Sequence, residues 1–284
     1  MAEQFNEGGG LRLKGDYTSP GSGYTGNTFN TPDDGTPHVS YEEPYKDNMF
    51  FEEPYDSTSS SHIITMDDNF AGVMTGAFMY MFMALLVTGI TAVVVASSPT
   101  LLATIFGSTA SLLLIFGLEF GIVWATTAAM KNNNVVLSGV LFFSYAIVNG
   151  LTLSVIFLVY TSSSIEQAFF STAVVFGLMA VVGKVTNKDL SSIGSILMMG
   201  LIGVLITSLI NFFIGSSALD IGISVVTIII FMGLTAYDVQ KIQNMADEHS
   251  GYNASVISLW GAMELYLDFI NIFLKILRLM GKRK

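Results

Sequence analysis

The chain contains 284 residues, of which 51% are hydrophobic and 12% are charged, and its formal net charge is −10. A soluble domain carries about 25% charged residues, so a soluble protein, which would have to hide nearly every helix face, is not expected. The absence of cysteine excludes disulfides, thiolate nucleophiles and cysteine-ligated metals.

The N-terminal segment, residues 1–66, carries the acidic balance. Residues 1–68 contain thirteen acidic and three basic side chains, whereas residues 69–284 contain nine of each. The segment is rich in Gly, Ser, Thr, Pro and Tyr, and it cannot bury enough apolar surface to offset its ordering entropy. We therefore predict a disordered acidic tail and no cleaved signal peptide. The repeated "EEPY" at 42–45 and 52–55 is interpreted as low-complexity sequence, with a docking motif as the alternative.

Seven apolar segments follow within residues 67–284, and each is long enough to cross a bilayer, which requires roughly 20 apolar residues. They are predicted at residues 70–96, 109–130, 135–160, 167–183, 190–214, 219–245 and 255–279. The connections are short, so consecutive helices must be antiparallel neighbours. The predicted fold class is an all-α integral membrane protein with a seven-transmembrane-helix bundle.

Basic residues in the connections predict the orientation of the bundle. The connections on the side of the N-terminus carry Lys131, Lys184, Lys188 and Lys241, whereas the opposite connections carry no base. We expect a multi-pass protein with its N-terminus in the cytoplasm, in a prokaryotic plasma membrane. The C-terminal "LRLMGKRK" is also basic, although seven full spans place it outside. Either the other connections override the charge rule at the C-terminus, or the last helix is re-entrant and does not cross the membrane fully.

Few ionisable side chains lie within the predicted spans. Such groups are expensive in lipid and are functional candidates by default. The strongest candidates are Glu119 in span two, Asp238 in span six, and Glu264 and Asp268 in span seven. Lys275 and Arg278 lie near the end of span seven, where they can snorkel to the interface, and are weaker candidates.

Span seven carries a row of polar side chains spaced by 4, 3, 4 and 3 residues, which places them on one helix face. The row consists of Glu264, Asp268, Asn271, Lys275 and Arg278. Such a row must face protein or water rather than lipid, so the last helix is predicted to be central. A ladder of salt bridges near the helix end is the alternative interpretation.

Asp238 and Asp268 lie on the two helices of one hairpin, at depths that differ by roughly 9 Å at 1.5 Å per residue. Tilting of the helices can bring the two carboxylates together. Because both cannot ionise cheaply when they are close and desolvated, we expect them to share one proton. The pair is therefore predicted to be a proton-sensitive latch.

Three stretches of the sequence resemble the Bax inhibitor-1 family, the transmembrane Bax inhibitor motif proteins, in their prokaryotic form. They are "SYAIVNGLTLSVIFLVYT" at 144–161, "GLTAYDVQKI" at 233–242 and "ELYLDFINIFLKILRLMG" at 264–281. The resemblance covers residues 70–281 and implies a seven-helix bundle with a central last helix and a pH-sensitive calcium leak.

The resemblance also implies roles for particular residues. The family's paired aspartates match Asp238 and Asp268, and its helix-two glutamate matches Glu119. Where the family has an arginine that pairs with the helix-six aspartate, this chain has Met130. The neighbouring Lys131, rotated by about 120°, is the candidate latch base, although lysine lacks the planar fork of arginine.

These observations favour a pH-sensitive, calcium-permeable leak channel or transporter rather than an enzyme. Glu119, Glu264 and Asn271 are predicted to line the ion pathway, and Asp238, Asp268 and Glu119 are predicted Ca²⁺ ligands because Ca²⁺ prefers oxygen ligands. The expected partners are the lipid bilayer, Ca²⁺ and protons. No cofactor or nucleic-acid partner is expected.

Two alternative functions remain open. One is a non-catalytic regulator that binds a membrane protease or another membrane partner. The other is an intramembrane aspartyl protease, against which stand the "LYL" before Asp268 and the absence of proline after Pro99. Hydrolase triads are not expected, because His38, His62 and His249 all lie outside the spans.

Overall fold

The computed structural model describes residues 66–247 and 251–284. Those residues form eight α-helices: α1 (Met66–Ala96), α2 (Pro99–Phe106), α3 (Thr109–Lys131), α4 (Val135–Val159), α5 (Ser162–Val185), α6 (Ser191–Ile214), α7 (Ser217–Asp247) and α8 (Ala254–Met280). The two "EEPY" motifs, the three histidines and all of the predicted tail except Met66 lie outside the described residues.

Seven of these helices, all except α2, are long and apolar enough to cross a membrane. The predicted seven-helix bundle is therefore confirmed, with α7 and α8 as its sixth and seventh spans. The fourth span begins earlier than predicted, at Ser162, because the Thr161 side chain accepts a hydrogen bond from the backbone N–H of Ser164 and caps the helix.

Helix α2 occupies a segment that was predicted to be a simple connection. Its N-cap is Ser98, whose hydroxyl oxygen accepts from the backbone N–H of Leu101, and Pro99 occupies the first helical position. Proline is tolerated there because the first turn has no partner for its missing N–H. Gly107 follows the last residue. The sequence contains these helix signals, but the segment is too short to cross a bilayer.

Helix α8 lies at the centre of the bundle, as predicted. Within its most apolar stretch 78% of the residues are buried, compared with 11–44% for the other six spans. It packs against α1, α7, α5 and α4. Helices α3 and α6 lie at the periphery, where their apolar side chains remain exposed.

The C-terminus lies at the opposite end of the bundle from the α7–α8 turn. At one end, Asn133 in the α3–α4 turn donates to the Gly251 carbonyl and accepts from the Asn253 N–H. At the other end, the Lys284 N–H donates to the Val159 carbonyl at 2.9 Å. Helix α8 is continuous over 27 residues, about 40 Å at 1.5 Å per residue, so it crosses the bundle fully and is not re-entrant.

Candidate functional site

Two buried aspartates from α7 and α8 face each other inside the bundle. Asp238 is 9% exposed and Asp268 is 3% exposed, and their carboxyl groups are within hydrogen-bonding reach of each other. The close approach of the helices is helped by Gly261 on α8, where an added Cβ would lie 2.6 Å from the Cδ1 atom of Ile242 on α7. The predicted difference in depth therefore does not keep the aspartates apart.

A threonine one turn before Asp238 supports the same pair. The Thr235 hydroxyl lies 3.0 Å from Oδ2 of Asp268 and 2.8 Å from the carbonyl oxygen of Phe231. A hydroxyl has one hydrogen to donate, so these two acceptors compete for it. Thr235 is fully buried. Asp268 thus has contacts to two α7 side chains, Thr235 and Asp238.

An ion pair lies beside the aspartates, toward the α7–α8 turn. Nζ of Lys241 is 2.5 Å from Oε1 of Glu264, and the indole N–H of Trp260 donates to the same oxygen at 3.0 Å. The other oxygen, Oε2, is buried and has no hydrogen-bond partner among the described residues. Glu264 and Lys241 both interact electrostatically with Asp238.

The spacing of these residues explains why they form one cluster. Asp238 and Lys241 are three residues apart on α7, and Glu264 and Asp268 are four residues apart on α8, so each pair lies on one helix face. The two faces meet because α7 and α8 pack along each other. The resulting carboxyl cluster, defined as Asp238, Lys241, Glu264 and Asp268, contains three acids and one base.

The structure places Glu119 away from this cluster. Its carboxylate on α3 accepts a hydrogen bond from the Thr152 hydroxyl on α4 at 2.6 Å. Its electrostatic neighbours are the tyrosines Tyr145 and Tyr266. The predicted Ca²⁺ ligand set of Asp238, Asp268 and Glu119 is therefore not assembled, and the described residues contain no group of three or more acidic or histidine side chains that could hold a metal ion.

Asn271 and Lys131 make no hydrogen bond or ion pair with the aspartate pair among the described residues. The Asn271 amide donates to the Leu267 carbonyl of its own helix. Lys131 is exposed at the end of α3, and the two ion pairs found among the described residues do not include it. The base next to Asp238 is Lys241, which comes from the same helix and not from span two.

Sequence reasoning missed a second polar group in the core, centred on Tyr266. Its hydroxyl contacts the Thr88 hydroxyl on α1 at 2.7 Å and accepts from the Asn149 amide on α4 at 2.8 Å. Thr88 in turn donates to the Ala146 carbonyl, so the hydrogen bonds run in one direction from Asn149 to Ala146. This group ties three helices together. The sequence did contain a sign of this group. Thr88, Asn149 and Tyr266 are uncharged polar residues within apolar spans, and such residues need hydrogen-bond partners inside the membrane.

Gln240 fastens the α5–α6 connection to the helix that carries Asp238. Its side-chain oxygen accepts from the Leu190 N–H at 2.7 Å, and its amide nitrogen lies 2.9 Å from the Lys188 carbonyl and 3.3 Å from the Thr186 carbonyl. Because these hydrogen bonds join α7 to the α5–α6 connection, a movement of α7 near the aspartates would also displace this connection or break the bonds.

The family model described as "Inhibitor of apoptosis-promoting Bax1" matches residues 71–284 of the chain. The chain is 38% identical over 214 residues to the inner membrane protein YbhL of Escherichia coli (strain K12), covering 74% of this chain and 92% of that protein. It is 36% identical over 231 residues to an uncharacterized protein of Rickettsia prowazekii, covering 80% and 96%. An uncharacterized protein of Borreliella burgdorferi is 37% identical over 233 residues, covering 81% and 98%.

Proposed function

Because the chain belongs to the Bax inhibitor-1 family, we propose that this integral membrane protein is a pH-sensitive, calcium-permeable leak channel or transporter. Asp238 and Asp268 form the proton latch between α7 and α8. The observation that supports this proposal is the contact between two buried carboxyl groups on adjacent helices. An ordinary salt-bridge ladder on α8 would not require the second aspartate on α7.

The latch works because ionised carboxylates only accept hydrogen bonds. A hydrogen bond between Asp238 and Asp268 therefore requires one shared proton. When that proton leaves, two like charges face each other in a dry environment, where their repulsion is much stronger than in water. The contact between α7 and α8 thus depends on the proton concentration.

Glu264 and Lys241 extend the acidic surface toward the α7–α8 turn. The unpartnered Oε2 of Glu264 is an oxygen ligand of the kind that Ca²⁺ prefers. Lys241 neutralises one of the three carboxyl groups, so the cluster keeps a net negative charge even when the aspartates share a proton. A permeating cation is attracted to such a surface, and the ammonium of Lys241 competes with it.

The test is Ca²⁺ flux into vesicles that contain the purified protein and an entrapped indicator, measured from pH 5.5 to 8.5. The wild type is expected to show a step in flux across this range. Asp238→Asn and Asp268→Asn are each expected to give a flat profile, because an amide holds its hydrogens at every pH. Lys188→Gln, in the α5–α6 connection, is the matched control and should keep the step. A wild-type profile retained by both aspartate variants would refute the latch.

An intramembrane aspartyl protease is the second candidate, because two carboxyl groups in contact are also the arrangement of an aspartyl dyad. The competing test is cleavage of a model transmembrane substrate in the same vesicles. We expect no cleavage by the wild type. Cleavage that Asp268→Asn abolishes would instead establish the protease.

We further propose that the protein lies in the plasma membrane with its N-terminus in the cytoplasm. The support is Lys131, Lys184 and Lys188 near the connections on that side and the inner membrane name of the Escherichia coli relative. The chain contains no cysteine, so single introduced thiols can be labelled. In intact cells a membrane-impermeant maleimide should label Ser97→Cys but not Asn132→Cys, and the reverse result would invert the orientation.

A further inference from the structure

A polar cavity of about 390 Å³ lies where α6 ends, α7 begins and α8 ends. It is far from the carboxyl cluster along α8, because Arg278 at its wall lies ten residues after Asp268, about 15 Å along the axis. Its lining is mostly polar and includes Ser208, Asn211, Asp220 and the two arginines Arg278 and Arg283. Nothing in the proposed leak accounts for this cavity.

The charged groups of the cavity leave one positive charge uncompensated. Arg278 donates to Oδ2 of Asp220 through both Nε and Nη2, so these two side chains neutralise each other. Arg283 also lines the cavity. Its backbone pairs with Tyr160, whereas its guanidinium has no hydrogen bond or ion pair among the described residues. A free guanidinium has five N–H donors in a fork that matches phosphate geometry.

Asn211 supplies a second hydrogen-bond donor to the cavity. Asn211 is only 9% exposed, and its side-chain oxygen accepts from the Ser216 N–H at 3.1 Å. That bond fixes the orientation of the amide, so its NH₂ group is directed elsewhere and has no partner among the described residues. The nitrogen is not fully enclosed, because Oε2 of Glu264 is the only fully buried side-chain oxygen or nitrogen without a partner among the described residues. The amide donor therefore remains accessible from the cavity. An acceptor placed in the cavity would satisfy both Asn211 and Arg283.

The position of the cavity indicates which kind of molecule would supply that acceptor. The cavity lies at the ends of three spans, at the level where phospholipid phosphates begin. It borders α6, whose apolar side chains face outward. Phe212, which lines the cavity, and its neighbour Phe213 are 82% and 80% exposed, as is typical of the aromatic residues at a membrane interface.

From these observations we propose that the cavity binds the phosphate group of an anionic phospholipid headgroup. Arg283 and the Asn211 amide contact the phosphate, and Arg278 remains paired with Asp220. The acyl chains lie along the outer face of α6. This proposal requires only that the helices span a membrane, so it does not depend on calcium permeation.

The experiment is native mass spectrometry of the full chain in detergent, titrated with dioctanoyl phosphatidylglycerol, dioctanoyl phosphatidylcholine or inorganic phosphate. We expect phosphatidylglycerol to bind at least tenfold more tightly than phosphatidylcholine. Arg283→Gln should weaken phosphatidylglycerol binding about tenfold, the effect of losing one charge-assisted contact. Lys282→Gln removes the same charge from an exposed residue outside the cavity and should not weaken it.

A second variant tests the other proposed contact to the phosphate independently. Asn211→Asp keeps the acceptor for the Ser216 N–H but removes the amide donor, so it should also weaken phosphatidylglycerol binding, and near-ultraviolet circular dichroism of both variants checks that the fold is kept. Equal affinity of wild type, Arg283→Gln and Asn211→Asp would overturn the site. Equal binding of phosphatidylcholine, or Arg283-dependent binding of inorganic phosphate with the same affinity, would overturn the assignment to an anionic lipid.

Discussion

Replacing Lys241 by glutamine is expected to destabilise the fold more than replacing its partner Glu264 by glutamine. Lys241→Gln leaves the Glu264 carboxylate, which already has one buried oxygen without a partner, next to two further acids. Glu264→Gln instead leaves an ammonium three residues from Asp238 on the same helix face, where a new ion pair can form. The two variants therefore differ in the charge that they leave uncompensated.

The magnitude follows from the distance and the exposure of the pair. At an ordinary ion-pair distance of about 3 Å, Coulomb's law gives about 1.4 kcal/mol in water and about 5.5 kcal/mol at an effective dielectric constant of about 20. The two side chains are 32% and 22% exposed. Solvent screening and side-chain entropy therefore reduce the coupling to about 1–2 kcal/mol. We expect a loss of about 2–3 kcal/mol for Lys241→Gln and about 1 kcal/mol for Glu264→Gln.

The assay is a double-mutant cycle on the purified protein in detergent micelles, with unfolding followed by near-ultraviolet circular dichroism. The coupling should fall when the salt concentration rises, because exposed charges are screened. Lys188→Gln is the control for loss of an ordinary lysine and should change the free energy of unfolding by less than about 0.5 kcal/mol. A coupling below about 0.3 kcal/mol, or a larger loss for Glu264→Gln than for Lys241→Gln, would contradict this account of the cluster.

Two further predictions concern the core and the tail. Tyr266→Phe removes the hydroxyl that joins Thr88 and Asn149 and should lower the free energy of unfolding by about 1–3 kcal/mol, because two buried polar groups lose a partner. Tyr145→Phe, whose hydroxyl has no hydrogen bond among the described residues, is the control, and equal effects would refute the network. Deletion of residues 1–65 should leave Ca²⁺ flux and its pH step unchanged, because the whole carboxyl cluster lies in α7 and α8; loss of flux would contradict the placement of the site.

The bundle and the aspartate pair could be predicted because both follow from strong local constraints. A run such as residues 221–237 carries no charge, and only a membrane or a large core accepts such a run. The polar row on α8 could not face lipid. Helix α8 was therefore expected at the centre of the bundle, with Asp268 directed toward a neighbouring helix. The next helix along the hairpin then had to be the partner, and that helix contains Asp238.

The ion pair and the tyrosine network could not be predicted because they depend on contacts between specific side chains. Lysine has a long flexible stem, so a position near a helix end indicated exposure to the interface rather than a partner on α8. Tyr266 is an uncharged residue in an apolar helix, and periodicity alone does not distinguish it from a lipid-facing aromatic. Its partners, Thr88 and Asn149, come from positions 178 and 117 residues away.

The position of Asp238 at the end of an apolar run can now be explained by what surrounds it. A carboxyl group in lipid would be expensive, but Asp238 is 9% exposed and faces protein on α8 rather than acyl chains. Asp268, Glu264 and Lys241 are all within its electrostatic reach. If Asp238 faced lipid, Asp268 would lose its carboxyl partner. The polar row on α8 would then have fewer polar contacts on α7 to favour its present orientation. Carboxyl groups are costly to place in the hydrocarbon core of a membrane. The same groups favour the packing of the α7 and α8 faces that bring them into contact with each other.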